Sequence, residues 1–248
     1  MKLLVGIFVA VLIVSSNPAS ADQLTVQWFT VTPATGTDFP GVPNGFVVVN
    51  NEVQSTLGPN GLPVYNSGYG GPTLTGVNPT TGELTWWTPS SNVTFTSTTT
   101  VTLPFFSSNM FAPNGTGTND TNSFQTAILS GKLVVPQHET VTFKLGGDDD
   151  TFLAINNAVI GQLGGIHAFT SSNFSTTLDA GTYDLSIFYA DRFQVAAELG
   201  FSVITPDVSI ETAAVPGPIA GAGLPGLMAA CGALLGWWRR RRQAEAPA

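Results

Sequence analysis

Phe143-Lys144-Leu145-Gly146-Gly147-Asp148-Asp149-Asp150-Thr151-Phe152-Leu153-Ala154-Ile155-Asn156-Asn157 is the stretch on which the reading of the fold turns. Two runs with strand character flank three adjacent carboxylates, and no other part of the chain concentrates charge in this way. In an extended strand, neighbouring side chains point to opposite faces. Two adjacent aspartates therefore reach one point only where the backbone turns sharply, as a non-proline cis peptide would make it do. Three crowded carboxylates repel one another unless a cation or a basic side chain neutralises them. A hard cation such as Ca2+ takes about six to eight oxygen ligands. Asp148, Asp149 and Asp150 offer several in one turn, and Asn156 and Asn157 add amide oxygens from the neighbouring strand end. Two other readings stay open: an acidic turn in solvent, and a salt bridge from Arg192.

Outward from this stretch the chain reads as β structure. Thr, Val and Phe are abundant, Lys and Glu scarce, and Gly and Pro punctuate at short intervals. Strands are expected at Leu24 to Val31, Phe46 to Val53, Leu84 to Thr88, Val93 to Thr96 and Thr99 to Leu103. Further strands are expected at Phe124 to Val135, Thr140 to Leu145, Phe152 to Ile155, Phe174 to Leu178, Thr182 to Tyr189 and Ala197 to Ile204. Around Tyr183 to Tyr189 the two-residue alternation is nearly complete, with both faces partly covered. Gly58-Pro59-Asn60-Gly61, Asn78-Pro79-Thr80-Thr81-Gly82 and Asp179-Ala180-Gly181 carry turn chemistry. Many short strands with frequent turns, and no amphipathic helix before residue 219, imply an all-β antiparallel sandwich or jelly roll.

The two ends have a different character. Residues 1–21 have the layout of a signal peptide: Lys2, an apolar run, and the small-residue site Ala19-Ser20-Ala21, so that cleavage falls between Ala21 and Asp22. Residues 22–204 form one domain, and 205–214 read as a stalk. Residues 219–238 are apolar over about the length that spans a bilayer. Arg239, Arg240, Arg241 and Arg242 follow and place residues 243–248 in the cytoplasm by the positive-inside rule. Between residues 22 and 214 only Lys132, Lys144 and Arg192 are basic, against fifteen acidic residues. Such a surface repels nucleic acid and excludes it as a partner. The single cysteine, Cys231, lies in the apolar tail, so the domain has no disulfide.

Val215-Pro216-Gly217-Pro218, then the apolar span, then the arginine cluster, resembles a PEP-CTERM sorting tail over residues 215–242. That resemblance implies transient insertion in the inner membrane of a Gram-negative bacterium and processing by an exosortase-type sorting protease. The product is then secreted or held at the cell surface. Phe143 to Asn156, Leu163-Gly164-Gly165-Ile166-His167 and Tyr183 to Arg192 together resemble the fibro-slime domain, a branch of the PA14-like superfamily. Asp38-Phe39, Val53 to Ser67 and Trp86-Trp87 extend the similarity upstream. The resemblance implies a PA14-like β-sandwich in which Asp148 and Asp149 hold Ca2+ and sugar hydroxyls complete its shell. Asp150 falls where many relatives have Gly, and Gln162 where fibro-slime members often have Asp.

Tyr65 and Tyr69, with Trp86 and Trp87, are candidates for a sugar-stacking platform, or else for core. His167 is read as a hydrogen-bonded structural residue. A glycosidase needs two carboxylates at a set separation, and Asp149 with Glu198 or Asp191 is a conceivable pair. No nucleophile elbow, zinc motif or phosphate loop is present. The expected protein is an exported, non-catalytic matrix, biofilm or adhesion protein that binds extracellular polysaccharide through Ca2+. The alternatives are a surface component with no specific ligand and a glycan-cleaving enzyme.

Overall fold

The computed structural model describes residues 22–34 and 37–212, and among them are thirteen strands and no helix. The larger sheet is built around β6 (Phe124–Val135), where Ala127, Leu129, Leu133 and Val135 point to one face and Phe124 and Ile128 to the other. β1 (Gln23–Val31) pairs with the first part of β6, and β11 (Gly181–Ala190) pairs with it from Thr126 to Val135 on the other side. Beyond β1 lies β4 (Val93–Thr102). Beyond β11 come β8 (Asp150–Ile155), β9 (Ala158–Leu163), β2 (Val53–Leu57) and β3 (Pro63–Tyr65). β13 (Ser209–Thr212) pairs with the part of β6 that β1 leaves open. The smaller sheet has the order β10 (Thr170–Leu178), β7 (Glu139–Asp148), β12 (Glu198–Val203) and β5 (Phe105–Ser107). Every pairing is antiparallel.

The main core lies between the two sheets, with Leu24, Val26 and Leu129 from the larger one and Phe143, Leu145 and Phe201 from the smaller. A second apolar cluster covers the opposite face of the larger sheet. There the chain between residues 37 and 90 folds back over Phe29, Phe124, Phe152 and Phe188, bringing Phe39, Leu74, Trp86 and Trp87 onto them. Every residue of β8 is consequently buried, on both faces. Trp86 and Trp87 belong to this core. Their indole N–H groups donate to Asp38 Oδ2 and to the Tyr189 carbonyl, at 2.8 and 3.0 Å.

Several expected elements differ. Phe46 to Val53 is not a strand: Phe46 has a left-handed backbone (φ 55°), and only Val49 bridges to a neighbour, Gly164. The pairing strand begins at Val53 instead. Leu84 to Thr88 leaves extended structure after the bridge at Leu84, because the Thr88 N–H turns back to the Thr85 carbonyl. The two short strands expected between Val93 and Leu103 are one, β4, with an irregularity opposite Trp28 and Phe29. β9, β3, β5 and β13 were not expected. The stalk is corrected over 205–212: Val208 and Ile210 are buried, and β13 is pinned by the Ile210 N–H donating to Asp22 Oδ1 at 3.0 Å. An alternating apolar segment beside an unpaired stretch of β6 gains burial and backbone hydrogen bonds by joining the sheet. The expected signal peptide and the sorting tail lie outside the described residues. Among those described, no helix is long and apolar enough to cross a membrane.

Candidate functional site

The three aspartates sit where the chain changes sheets. Asp148 ends β7 opposite Glu198 of β12, and Asp150 begins β8 opposite Ala190 of β11. One residue, Asp149, makes the crossing, and the Asp148–Asp149 peptide is cis. Gly147 is sterically required beside it. A Cβ there would lie 2.5 Å from Thr151 Cγ2 and 2.9 Å from the Asp149 carbonyl oxygen.

The crossing sends the three carboxylates to different partners. Asp150 is fully buried; its Oδ1 accepts the Gly165 N–H at 2.6 Å and its Oδ2 accepts from Arg192 Nη1 at 3.1 Å. The same Nη1 reaches Glu52 Oε1 at 3.2 Å, and the guanidinium lies 4.8 Å from the Trp86 ring centre. Burial alone would lower the Arg192 pKa, but the charges of Asp150 and Glu52 hold it above its ordinary value. Burial raises the Asp150 carboxyl while Arg192 draws it down, and burial followed by the Asp150 charge pushes Glu52 well up. Asp150 is thus the anion of an internal ion pair rather than a metal ligand. Both of its oxygens are directed at protein donors in the interior.

Asp149 is held differently. Its Oδ1 accepts the His167 N–H at 3.0 Å and its Oδ2 the Arg192 N–H at 2.9 Å, so two backbone amides fix the carboxylate. Each oxygen keeps a further lone pair. Asp148 and Asp149 line a pocket of about 300 Å³ together with His167, Phe193 and Phe46. Burial raises the Asp148 carboxyl to about 6, against the pull of Asp149 and His167. Burial, then the neighbouring Asp150 charge, pushes Asp149 well above the usual carboxylate range.

Asp191, named in the sequence only as half of a conceivable catalytic pair, is the third carboxylate here. It is completely buried, no Lys or Arg side chain pairs with it, and the backbone amide of Phe193 is the one group that lowers its pKa. Burial raises it well above its usual value, followed by the charges of Asp149, Asp120 and Asp148. Asp120 has a buried oxygen without a partner, and burial raises it too. The corner therefore gathers negative charge while the Arg192 side chain is committed to Asp150 and Glu52. Among the described residues no three His, Cys, Asp or Glu side chains converge closely enough to form a metal cage by themselves. A Ca2+ shell, however, draws much of its oxygen from carbonyls, water or ligand hydroxyls. Two adjacent carboxylates, with a third behind them that no cationic side chain pairs, are hard oxygen donors that fit that ion.

The remaining candidates go elsewhere. Asn156 lies at the far end of β8, about 20 Å along the strand from Asp150. It has φ 51°, and its Oδ1 accepts the Asp184 N–H at 2.9 Å, so it serves the β8–β9 turn and not the aspartates. Tyr65 and Tyr69 pack edge to face at 5.8 Å. The Tyr69 hydroxyl donates to the Pro72 carbonyl and the Tyr65 hydroxyl accepts from the Leu74 N–H, so the pair buttresses a loop rather than forming a platform. The aromatic rings at the acidic pocket are instead Phe46 and Phe193, edge to face at 5.6 Å, with Phe46 56% exposed. Gln162 is structural. Its amide accepts the Val53 N–H and donates to the Val53 carbonyl, both at 3.1 Å, at the opposite end of β2 from the Thr56–Ala158 backbone pairing of β2 with β9.

The chain is an antiparallel sandwich that changes sheets at an aspartate pair, and a family model names its class. A family model for the PA14 domain matches residues 90–214, half of the chain, and the protein belongs to that family. Protein psiR of Dictyostelium discoideum is 27% identical over 229 residues, covering 80% of this chain and 22% of psiR. The chain thus spans about a fifth of the length of that curated relative. Among solved structures, a PA14 sugar-binding domain from an RTX adhesin is 14% identical, with 77% of this chain and 95% of that one covered and a TM-score of 0.36. The PA14 domain of the MpAFP antifreeze protein is 12% identical, with 82% and 98% covered and a TM-score of 0.36. A β-glucosidase from Kluyveromyces marxianus is 17% identical over 33% of this chain and 11% of its own, with a TM-score of 0.29.

Proposed function

We propose that this PA14 domain binds extracellular polysaccharide through Ca2+ at Asp148 and Asp149, in an exported, non-catalytic matrix, biofilm or adhesion protein. The observation that carries the reading is the set of buried carboxylates with no Lys or Arg side chain paired to them, Asp148, Asp149 and Asp191, beside a pocket open to solvent. Such charge is costly to hold without a cation. When bound, Ca2+ would supply coordination positions that vicinal sugar hydroxyls can fill. The protein's own part is to aim Asp149 by its two backbone amides, to present Asp148 at the mouth, and to offer the Phe46 and Phe193 rings to the apolar face of a sugar. Asp191 adds charge behind them.

The route to the surface is read from sequence: a signal peptide cleaved after Ala21, then passage through the inner membrane. The tail from Val215-Pro216-Gly217-Pro218 to Arg242 would be processed by an exosortase-type protease. The test is a polysaccharide panel probed with and without chelator, alongside Asp149→Asn. Binding that disappears with chelator and with the variant supports the reading. Binding indifferent to both, or no binding, leaves a ligand-free surface component. Release of reducing ends from the panel would instead mean a glycan-cleaving enzyme.

A further inference from the structure

A second groove lies on the outer face of the smaller sheet. On β7 the residues Lys144, Gly146 and Asp148 share that face by strand alternation. Across the register Lys144 pairs with Ser202 and Gly146 with Gly200, and Gly200 in turn pairs with Phe106 of β5. The two facing glycines leave room for rings. A Cβ on Gly146 would lie 2.7 Å from Phe169 Cζ, and one on Gly200 would lie 3.2 Å from Phe106 Cδ2. Phe106 and Phe169 meet edge to face at 5.5 Å above this floor, and Phe106 is 61% exposed. Beside them runs a groove of about 270 Å³ lined by Lys144 and Ser202 as well as by the rings.

Charge singles this groove out. Of the Lys and Arg side chains among the described residues, Lys132 is paired with Asp184 and Arg192 with Glu52 and Asp150. Lys144 alone forms no ion pair, in a domain with fifteen carboxylates to three such cations. An exposed aromatic ring beside an uncommitted ammonium and a hydroxyl suits a ligand with an apolar ring face and an anionic substituent. The groove also adjoins the acidic pocket. The two are neighbours in the chain as well: Phe169 lines the groove and Ala168, just before it, lines the acidic pocket. Lys144 and Asp148 are four residues apart on one strand face, about 13 Å, which is within reach of successive sugars of one chain.

We propose that this groove is an acidic-sugar subsite: Lys144 pairs with the carboxylate of a uronic acid residue in a polysaccharide, and Phe106 stacks on its ring. It rests on the glycan-binding reading for the class of ligand, but it uses different residues and needs no metal. The test is affinity electrophoresis of the full chain through gels containing polygalacturonate, its carboxyl-reduced neutral form, or dextran sulfate, all with chelator present. Polygalacturonate retards the protein in spite of the repulsion from its net negative charge, and the retardation weakens with added salt. Lys144→Gln and Phe106→Ala each weaken the binding by about tenfold, the loss expected for one charge-assisted bond or one stacked ring. Both substitutions fall on surface side chains, and unchanged melting temperatures show that the fold is intact. Asp149→Asn leaves the retardation as it was, which separates this site from the Ca2+ site. The proposal is overturned if the two variants migrate like the wild type, if the carboxyl-reduced polymer retards equally, or if dextran sulfate retards more strongly than polygalacturonate.

Discussion

Arg192→Met removes the one cation that compensates two carboxylates buried completely, Asp150 and Glu52. Met keeps much of the aliphatic volume and the backbone N–H that holds Asp149, so the change falls on the charge. Breaking a buried pair by deleting one partner costs about 3–5 kcal/mol, because the other charge stays uncompensated. For a domain of this size that corresponds to a melting temperature lower by roughly 6–20 °C. The pH dependence separates charge from packing. Without Arg192 the carboxyls of Asp150 and Glu52 are raised further in the folded state than in the wild type. A raised carboxyl binds its proton more tightly when folded. Its favourable contribution is complete below the unfolded pKa and is lost as pH rises through the folded value. The variant's deficit is therefore largest near neutral pH and shrinks toward pH 4, where protonation of the two acids costs little. Urea unfolding at pH 7 and pH 4 measures both numbers, with Arg192→Met/Glu52→Gln/Asp150→Asn as the variant that recovers part of the loss. A deficit under about 1 kcal/mol at pH 7, or one that does not change with pH, would refute the account of Arg192 as an internal counter-ion.

Ile210→Ala should cost about 2–4 kcal/mol in urea unfolding, because Ile210 fills the core from β13; a change within experimental error would return residues 209–212 to a stalk. Ca2+ affinity should rise with pH through about 6, where Asp148 gives up its proton. In the metal-free protein, stability should fall over the same rise, since the folded state holds that proton more tightly than the unfolded chain. Thermal scans at pH 5 and pH 7.5, with and without Ca2+, report both trends, and a Ca2+ effect larger at pH 5 would contradict them. Trp86→Phe should lower stability by about 1–3 kcal/mol, because Asp38 loses the indole donor at 2.8 Å in a buried setting; unfolding by urea checks it.

Much of the sandwich was legible in the sequence, and the reasons differ by element. β6 stood out because two apolar runs, Ala127-Ile128-Leu129 and Leu133-Val134-Val135, lie in one stretch bounded by polar and Pro-containing segments, and its expected limits agree with those found. β7 and β11 were found as well, and only their ends moved. Phe46 to Val53 misled because an apolar β-branched run carries no sign of whether a partner strand is present. Gly45 and Phe46 both adopt left-handed backbones there, and Val49 alone finds a bridge. β3, β5 and β13 are three or four residues long and exist through their neighbours, so local pattern could not reveal them.

The site divides in the same manner. Adjacency of Asp148 and Asp149 is a local fact, and the need for a sharp turn between them follows from strand geometry. The destination of each carboxylate is not local. Glu52 lies 140 residues from the Arg192 it pairs with, and nothing near it in the chain marks it for burial. Asp191 was visible only as a neighbour of Arg192. Its significance comes from burial without a cationic partner, which depends on the packing of loops from distant parts of the chain. Phe46 and Phe193 meet across an even longer separation, whereas Tyr65 and Tyr69, close in sequence, pack on each other and are structural.

The central claim is that Asp148 and Asp149, backed by Asp191, bind one Ca2+. It is tested most directly by titrating Ca2+ into the metal-free protein at pH 7.5 by calorimetry, with thermal unfolding in parallel. The expected result is a single site and, at about a hundredfold excess over its dissociation constant, a stabilisation of about 2.7 kcal/mol. That stabilisation corresponds to roughly 5–10 °C in melting temperature, and both signals vanish in Asp149→Asn. No heat and no thermal shift at millimolar Ca2+, or a response that Asp149→Asn retains, would contradict it.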